Sequence, residues 1–146
     1  MNTGPVPADS PVEAVSGHAR RYAATGGADG HDWNGAPVLL LSVTGRRTGT
    51  WHRTPLIYGR AAGDYIVVAS ALGAPGNPAW YLNLTASPRV TLQVRDAVFP
   101  APALARTVTG PGREALWELM AAIWPPYLEY QAKTTRLIPV VALTRP

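Results

Sequence analysis

Apolar and β-branched residues recur along the chain in short runs that turn residues separate. The first four runs have the length and bounding residues of β-strands, and they lie at 38–44, 53–58, 65–71 and 90–95. Their apolar positions are continuous or weakly alternating, which is typical of strands that are buried on both faces or line a closed barrel. A further strand is predicted over 97–109, with interruptions at Pro100 and Pro102. The last strand is predicted over 138–143, entered through Pro139.

Helical patterns flank and interrupt these runs. Ser10, Pro11 and Glu13 follow the order of an N-cap, a first-turn proline and an early acidic residue, so they predict a helix that continues to Tyr22. A glycine-rich stretch ends that helix. Asn77–Leu84 predicts one or two helical turns that begin at an asparagine cap.

The helix before the last strand has the clearest periodicity. Gly110-Pro111-Gly112 opens it, and apolar side chains then recur at helical spacing up to Ile123. Pro125-Pro126 stops or kinks it. The segment 127–134 then continues as one or two helical turns.

The element order predicts the fold class. The early strands are too close in sequence for parallel crossover connections, so the sheet is predicted to be mostly antiparallel. We therefore expect an α+β domain built on a small antiparallel barrel, and a Rossmann fold is disfavoured. A chain of 146 residues fits one domain. Within it we expect an N-terminal arm with a short helix at 1–36 and the barrel at 37–146.

The composition excludes several kinds of chemistry. The chain has no cysteine, and therefore no disulfide, no thiolate metal ligand and no thiol nucleophile. Its three histidines lie in dissimilar contexts without the spacing of metal ligands, so no metal site is predicted. No apolar run has the length of a membrane span, and the N-terminus lacks the pattern of a signal peptide. We therefore expect a soluble, cytoplasmic protein.

The charge favours a small anion as a partner. The formal net charge is +4, from 13 Lys and Arg against 9 Asp and Glu, and Lys133 is the only lysine. Arginine binds phosphate and carboxylate through a bidentate fork, although a biased coding sequence also explains the preference for arginine. The cations are scattered rather than gathered into a basic stripe with interleaved aromatics, so nucleic acid is not the expected partner.

A glycine-bounded turn is the plainest candidate for anion binding. It comprises Gly45-Arg46-Arg47-Thr48-Gly49, where backbone N–H groups, two guanidinium groups and a hydroxyl can converge on one anion. His52 and Arg53 follow directly across the turn and add positive charge. Taken alone, however, so short a motif favours a solvated hairpin tip over a binding site.

Two further features border the same region. Ala69-Ser70, before a Gly/Pro/Asn loop, lets a flat ring approach the backbone, although an ordinary turn explains these small residues equally well. No Gly-x-Ser-x-Gly motif surrounds the serine, which argues against a hydrolase nucleophile. Tyr127 and Tyr130 are spaced to share one helix face and, with neighbouring tryptophans, to form an aromatic wall for a flat ligand. Core packing is the ordinary alternative for these rings.

Three blocks of the sequence together resemble the deazaflavin-dependent nitroreductase and quinone reductase family, small oxidoreductases that use coenzyme F420. The blocks are LLLSVTGRRTGTWHRTPLIY, DYIVVASALGAPGNPAWYLNL and WPPYLEYQAKTTRLIPVVAL. They occur in the family's order between about Pro37 and Leu143. The resemblance implies a split β-barrel, related to the oxidoreductases that bind flavin mononucleotide, with the deazaflavin in a groove on the barrel.

The resemblance also implies roles for individual residues. The arginine-containing turn would hold the phosphate and glutamate tail of the cofactor, and the small residues after the third strand would meet its ring system. Ser70 would orient the ring, while Tyr127 and Tyr130 would face the substrate, so these three are the expected catalytic residues. The expected cofactor-binding residues are Arg46, Arg47, Thr48, His52, Arg53, Thr54, Pro55, Leu56, Ile57, Val68, Ala69, Ser70, Ala71, Ala79, Trp80, Tyr81, Leu82, Asn83 and Tyr127.

The chain departs from the family pattern at four positions. Ala71 stands where the family often has a basic residue, and Leu82 stands where it often has a histidine. His52 stands where others have arginine, which makes binding of the tail depend partly on its protonation state. Trp124 stands where the nitroreductase members have tyrosine, so the resemblance does not carry nitroimidazole reduction over to this chain.

The expected function is hydride transfer from reduced coenzyme F420 to a flat small-molecule acceptor, such as a quinone, an enone or a nitro compound. Three alternatives stay open: an oxidoreductase that uses flavin mononucleotide on the same barrel, a non-catalytic deazaflavin carrier, and a basic nucleic-acid-binding module. The expected assembly is a monomer or a weak homodimer. Weak membrane association through the N-terminal helix is an alternative to simple packing of that helix on the barrel.

Overall fold

The structure is a computed structural model, which describes residues 13–99 and 102–145. The helices in this part of the chain are α1 (Glu13–Ala24), α2 (Ala79–Ala86), α3 (Pro111–Ile123) and α4 (Pro126–Ala132). The strands are β1 (Asp32–Trp33), β2 (Ala36–Thr44), β3 (Trp51–Ile57), β4 (Gly59–Ala61), β5 (Asp64–Val68), β6 (Arg89–Val94), β7 (Ala97–Val98), β8 (Ala103–Val108) and β9 (Val140–Thr144). A 3₁₀ turn at Ala71–Gly73 follows β5.

The strands form one curled sheet in the order β1-β2-β6-β8-β9-β5-β4, with β3 paired to β2 and β7 paired to β6. Each strand pair in the described residues is antiparallel, which confirms the predicted α+β class. Thr44 pairs with Trp51, so residues 45–50 form the connection from β2 to β3. Within the described chain β3 has β2 as its one strand partner, which suits Pro55 because proline lacks the N–H that a second neighbour needs.

The strand β2 is buried on both faces, as its continuous apolar pattern predicts. Leu39 and Leu41 belong to the main core cluster of the sheet. Leu40, between them, packs with Ala19 and Tyr22 of α1 on the other face. Because successive side chains point to opposite faces, an uninterrupted apolar run requires a cover on each side.

A second core lies under α3 and α4. Trp117 and Met120 of α3 and Tyr127 of α4 pack there against Ile66 of β5 and Val140 of β9. The predicted helix before the last strand is confirmed as α3, and the short helical continuation beyond the two prolines is confirmed as α4. These helices cover one face of the sheet through their apolar stripes.

The helix α1 packs on the sheet through Tyr22, which is fully buried. The Tyr22 hydroxyl accepts a hydrogen bond from the backbone N–H of Arg95 and donates one to Gln93 O at 3.4 Å. Desolvation in this position raises the pKa of Tyr22. The predicted cap residues Ser10 and Pro11 lie outside the described residues. No helix in the described ranges combines the length and apolar character needed to cross a bilayer.

Two predictions near the end of the third run are wrong. β5 ends at Val68, earlier than predicted. Ser70 has helical backbone angles, and Ala71 and Leu72 have φ values of 46° and 56°, so none of the three has the extended backbone of a strand. Asn77 does not cap α2. Pro78 takes the N-cap position, and the Asn77 side chain accepts a hydrogen bond from Arg136 instead.

Candidate functional site

A cleft of about 800 Å³ lies where β2, β3 and β5 meet the start of α2. The predicted residues that line it are Arg46, Arg47, Thr48, His52, Arg53, Thr54, Pro55, Leu56, Val68, Ser70, Ala71, Ala79, Trp80 and Asn83. Val43, Gly45, Leu72 and Pro78 also line it, although none of them is among the expected cofactor-binding residues. Each lies in, or within two sequence positions of, a predicted motif or residue, and this closeness in sequence is the signal that could have identified them. We call residues 45–50 the arginine turn.

Backbone hydrogen bonds close the base of the arginine turn. Gly45 N–H donates to Thr50 O at 2.7 Å, and Gly49 N–H donates to Gly45 O at 2.9 Å. Gly49 has a φ of 73°, a conformation that suits glycine. Gly45 is needed for space, since a Cβ there would lie 2.8 Å from His52 Nε2 and 2.9 Å from Thr48 Oγ1. The glycines of the motif therefore shape the turn directly.

Arg46 joins the arginine turn to α2. Its backbone N–H and its Nη1 both donate to Oδ1 of Asn83, at 3.1 and 2.8 Å. Asn83 is only 7% exposed, so its side-chain carbonyl needs a partner inside the protein. A guanidinium group carries several N–H donors, and this contact engages one of them while it fixes the side chain beside the cleft.

A chain of hydroxyl and imidazole groups runs from the turn into β3. Thr48 Oγ1 lies 2.8 Å from Thr50 Oγ1, which lies 3.2 Å from His52 Nε2. The Thr50 N–H also donates to Thr48 Oγ1, at 3.3 Å. These contacts order the Thr48 hydroxyl where it lines the cleft.

Positive charge concentrates around the arginine turn. Arg46, Arg47 and Arg53 line the cleft together with His52, and the described residues that line it include no Asp or Glu. Clefts lined by one sign of charge attract the opposite sign. This part of the cleft is therefore suited to an anion. No group of His, Cys, Asp and Glu side chains in the described ranges is arranged to hold a metal ion.

The β5–α2 loop, residues 69–78, supplies a second and less polar part of the lining. It contributes the side chains of Ala71 and Leu72 next to Ser70. Trp80, in the first turn of α2, adds an aromatic surface. The cleft thus joins a cationic region to an apolar one.

Arg136, which no sequence pattern indicated, holds the β5–α2 loop. It donates from Nε to Ala74 O at 2.9 Å and from Nη2 to Ser70 O at 2.6 Å. Its Nη1 donates to Ala69 O at 3.2 Å and to Asn77 Oδ1 at 2.8 Å. Desolvation lowers the pKa of this guanidinium. Because Arg136 lies between α4 and β9, only the folded chain brings it to the loop.

Several predicted residues lie away from the cleft: Ile57, Ala69, Tyr81, Leu82, Tyr127 and Tyr130. Ile57 packs against the cores under α1 and α3, and Ala69 is fully buried. The Tyr81 hydroxyl lies 2.7 Å from Thr107 Oγ1 of β8. Leu82 is on the exposed side of α2. On α2, Tyr81 and Leu82 do not line the cleft although Trp80 and Asn83 do, because neighbouring residues on a helix point in different directions.

The two tyrosines of α4, Tyr127 and Tyr130, are not among the residues that line the cleft. Tyr127 is 5% exposed and packs against Trp117 in the second core. Desolvation, with a smaller contribution from Tyr130, raises the pKa of Tyr127 above its usual value. Tyr130 is partly exposed and lies edge-on to Tyr127, with ring centroids 6.1 Å apart. Its backbone lies against Gly73 of the β5–α2 loop.

Comparisons with known proteins match the chain over most of its length. A model of the F420H(2)-dependent quinone reductase family matches residues 15–145. The F420H(2)-dependent quinone reductase Rv1261c of Mycobacterium tuberculosis is 38% identical over 136 residues, which are 92% of this chain and 91% of the relative.

Two solved structures are similar to this chain both in sequence and in fold. An F420-H2 dependent reductase, FDR-A, is 42% identical with a TM-score of 0.67, and the match covers 73% of this chain and 93% of that chain. A domain-swapped dimer is 38% identical with a TM-score of 0.70, and the match covers 92% of this chain and 99% of that chain. More distant structures share the split-barrel fold alone. The predicted split β-barrel is confirmed.

Proposed function

The chain belongs to the F420H(2)-dependent quinone reductase family, and we propose that it is an oxidoreductase that transfers hydride from reduced coenzyme F420 to a flat acceptor. Quinones are the preferred acceptor class, followed by enones and nitro compounds. The observation that carries the proposal is the single cleft that joins the cationic arginine turn to an apolar and aromatic surface.

The arginine turn fits the charged part of the cofactor. Its phosphate and glutamate tail is anionic, and Arg46, Arg47 and Arg53 offer charge-assisted hydrogen bonds to such groups. The ordered Thr48 hydroxyl adds a neutral donor. Since Asn83 fixes Arg46 in advance, little side-chain freedom is lost when the tail binds.

The apolar part of the cleft fits the flat ring system. Val68 and Ala71 are small enough to let a ring approach the backbone, and Trp80 offers an aromatic surface. Ser70 provides a hydroxyl in the same region. The ring and the acceptor would therefore lie beside the β5–α2 loop.

The chain's own contribution to the reaction is placement and hydrogen bonding. When bound, the reduced deazaflavin supplies a hydride from its central-ring carbon, and a quinone that takes up this hydride and one proton becomes a hydroquinone. The two parts of the cleft would hold the cofactor and the acceptor next to each other. The Ser70 hydroxyl donates a hydrogen bond to the acceptor oxygen as that oxygen gains charge. Tyr127 packs the core, and Tyr130 supports the loop.

Fluorescence titration of the purified protein with coenzyme F420 at low salt tests the cofactor. We expect micromolar or tighter binding, and binding about tenfold weaker for Arg47→Ala, because a charge-assisted contact is lost. Arg106→Ala is the control, since this exposed arginine pairs with Asp64 away from the cleft. Failure of the wild-type protein to bind at micromolar concentration would contradict the proposal.

A visible-spectrum assay with the reduced cofactor tests the acceptor. Menadione, an enone and a nitroaromatic compound are compared, and the quinone should have the highest kcat/KM. Binding of the cofactor without reduction of any acceptor would indicate a carrier. A yellow preparation loaded with flavin mononucleotide would overturn the choice of cofactor.

The assembly is a further part of the proposal: a monomer or a weak homodimer. The motivation is that one similar solved structure is a domain-swapped dimer. Light scattering over a range of protein concentrations measures the mass directly. A dimer that persists on dilution to nanomolar concentration would contradict a weak association.

A further inference from the structure

The β5–α2 loop has an unusual backbone where it lines the cleft. Ala71 and Leu72 have φ values of 46° and 56°, a region that residues with a Cβ rarely adopt. Two consecutive residues of this kind persist only when the surrounding structure holds them. Leu72 is also 68% exposed while it lines the cleft, so an apolar side chain stands at the mouth of the site.

Arg136 provides such support from a distant part of the chain. Its guanidinium donates to the carbonyl oxygens of Ala69, Ser70 and Ala74 and to Oδ1 of Asn77. These acceptors lie on both sides of the left-handed pair, so one side chain fixes the loop before and after it. An ammonium group lacks the planar fork that makes these contacts together.

The helix α4 supports the same loop. A Cβ at Gly73 would lie 2.6 Å from Tyr130 O, so the loop and the helix are in direct backbone contact. Lys133 Nζ donates to Leu72 O at 3.4 Å. Arg136 follows α4 in the chain, so one continuous segment holds the whole loop.

We propose that Arg136 is a positioning residue that keeps Ala71 and Leu72 in the left-handed conformation and thereby shapes the cleft for the acceptor. The inference rests on the proposed function, which defines the acceptor. Arg136 does not line the cleft and acts through the loop. The arginine turn, which is proposed to bind the cofactor tail, connects β2 to β3, whereas the four Arg136 acceptors lie in the β5–α2 loop. Loss of Arg136 should therefore raise the acceptor KM more than it weakens binding of coenzyme F420.

Hydrogen exchange of the protein without added cofactor tests the positioning directly. Arg136→Ala should speed exchange of the amides in the β5–α2 loop by about tenfold or more, because the loop opens locally. Arg136→Lys should have an intermediate effect, and it decides the question if the alanine variant does not fold. The control is Arg106→Ala, whose 3.4 Å contact with Asp64 does not involve the loop. Unchanged exchange would overturn the inference.

Ala71→Gly separates positioning from a general loss of stability. Glycine adopts the left-handed conformation without strain, so the loop should depend less on Arg136. Arg136→Ala should raise the acceptor KM about tenfold in the wild-type background and less than about threefold in the Ala71→Gly background. Equal factors in the two backgrounds would overturn the inference, since a merely structural loss does not depend on residue 71.

The two measurements also separate this inference from the proposed function. A wild-type protein that does not bind coenzyme F420 would contradict the proposed function, while hydrogen exchange would still decide whether Arg136 holds the loop. Faster exchange with an unchanged acceptor KM would show that the loop does not position the acceptor, and that result also overturns the inference.

Discussion

The arginine turn and the β5–α2 loop line the same cleft, but they are built in different ways. The backbone of the turn is built locally, because its glycines occupy the positions that need them and its backbone–backbone hydrogen bonds span a few residues. Its one distant partner in the described residues is Asn83, which accepts from Arg46. The loop places an alanine and a leucine at positive φ, and Arg136 donates hydrogen bonds to it from 67 residues away in sequence at Ala69 and 59 residues away at Asn77. A locally built region tolerates changes elsewhere in the chain, whereas a remotely held one transmits them to the site.

The largest effect should come from adding one methyl group to the β5–α2 loop, which distant residues hold in place. Gly73→Ala places a Cβ 2.6 Å from Tyr130 O at a φ of 82°, so both the space and the conformation are wrong. We expect the free energy of unfolding to fall by about 2 to 4 kcal/mol, measured by urea denaturation. Gly76→Ala in the same loop is the control, since a Cβ there meets nothing within 4 Å. Equal losses would contradict the backbone contact.

Two asparagines test whether the two regions serve different ligands. Asn83→Ala removes the acceptor of two Arg46 hydrogen bonds, so binding of coenzyme F420 should weaken by about tenfold in a fluorescence titration. Asn77→Ala removes one Arg136 hydrogen bond, so the acceptor KM should rise by about threefold in steady-state assays. If both variants changed the same parameter, the proposal that the turn contributes most to cofactor binding and the loop most to acceptor binding would fail.

Removal of single hydroxyl groups tests which of them contacts the acceptor. Ser70→Ala should lower kcat by about fivefold, because Ser70 lines the cleft and its hydroxyl is proposed to donate to the developing oxyanion. Tyr130→Phe should lower kcat by less than about twofold, because Tyr130 supports the loop through its backbone. A larger loss for Tyr130→Phe would place the phenol at the acceptor, as the family resemblance implied.

The smallest effect should come from the hydroxyl that links the arginine turn to β3. Thr50→Val removes the group between Thr48 and His52, so binding of coenzyme F420 should weaken by about twofold in the same titration. Thr85→Val is the control, because the Thr85 hydroxyl donates to Leu82 O on α2. A stronger effect for the control than for Thr50→Val would contradict the role of the hydroxyl and imidazole contacts in ordering Thr48.

Some parts of the molecule were predictable because the information lies within a few residues. The uninterrupted apolar run of β2 predicted burial on both faces, and Leu40 and Leu41 confirm it. The glycine-bounded turn was predicted as a turn from its residues alone, although those residues alone favoured a solvated hairpin tip over a binding site. In the structure, Arg46 and Arg47 line the cleft. Spacing, turn residues and residue type were enough in these cases.

Other parts were not predictable, because the same residues are compatible with more than one environment. The spacing of Tyr127 and Tyr130 is compatible both with an aromatic wall that faces a substrate and with a helix that packs on the core. In the structure, Tyr127 packs in the second core. Asn77 has the chemistry of a helix cap, but it bonds Arg136 instead. In each case the competing partner lies far away in sequence and leaves no local pattern.

The sequence by itself determined the antiparallel α+β class, the positions of most strands and helices, and the cationic turn, since short-range periodicity and glycine placement specify these features. Only the tertiary structure decided that Arg136 holds the β5–α2 loop, that Ala71 and Leu72 adopt the left-handed conformation, and that Tyr127 is buried. The reason is physical. A strained loop and a buried ring are stable only through contacts with distant segments, and those contacts exist only after the chain has folded.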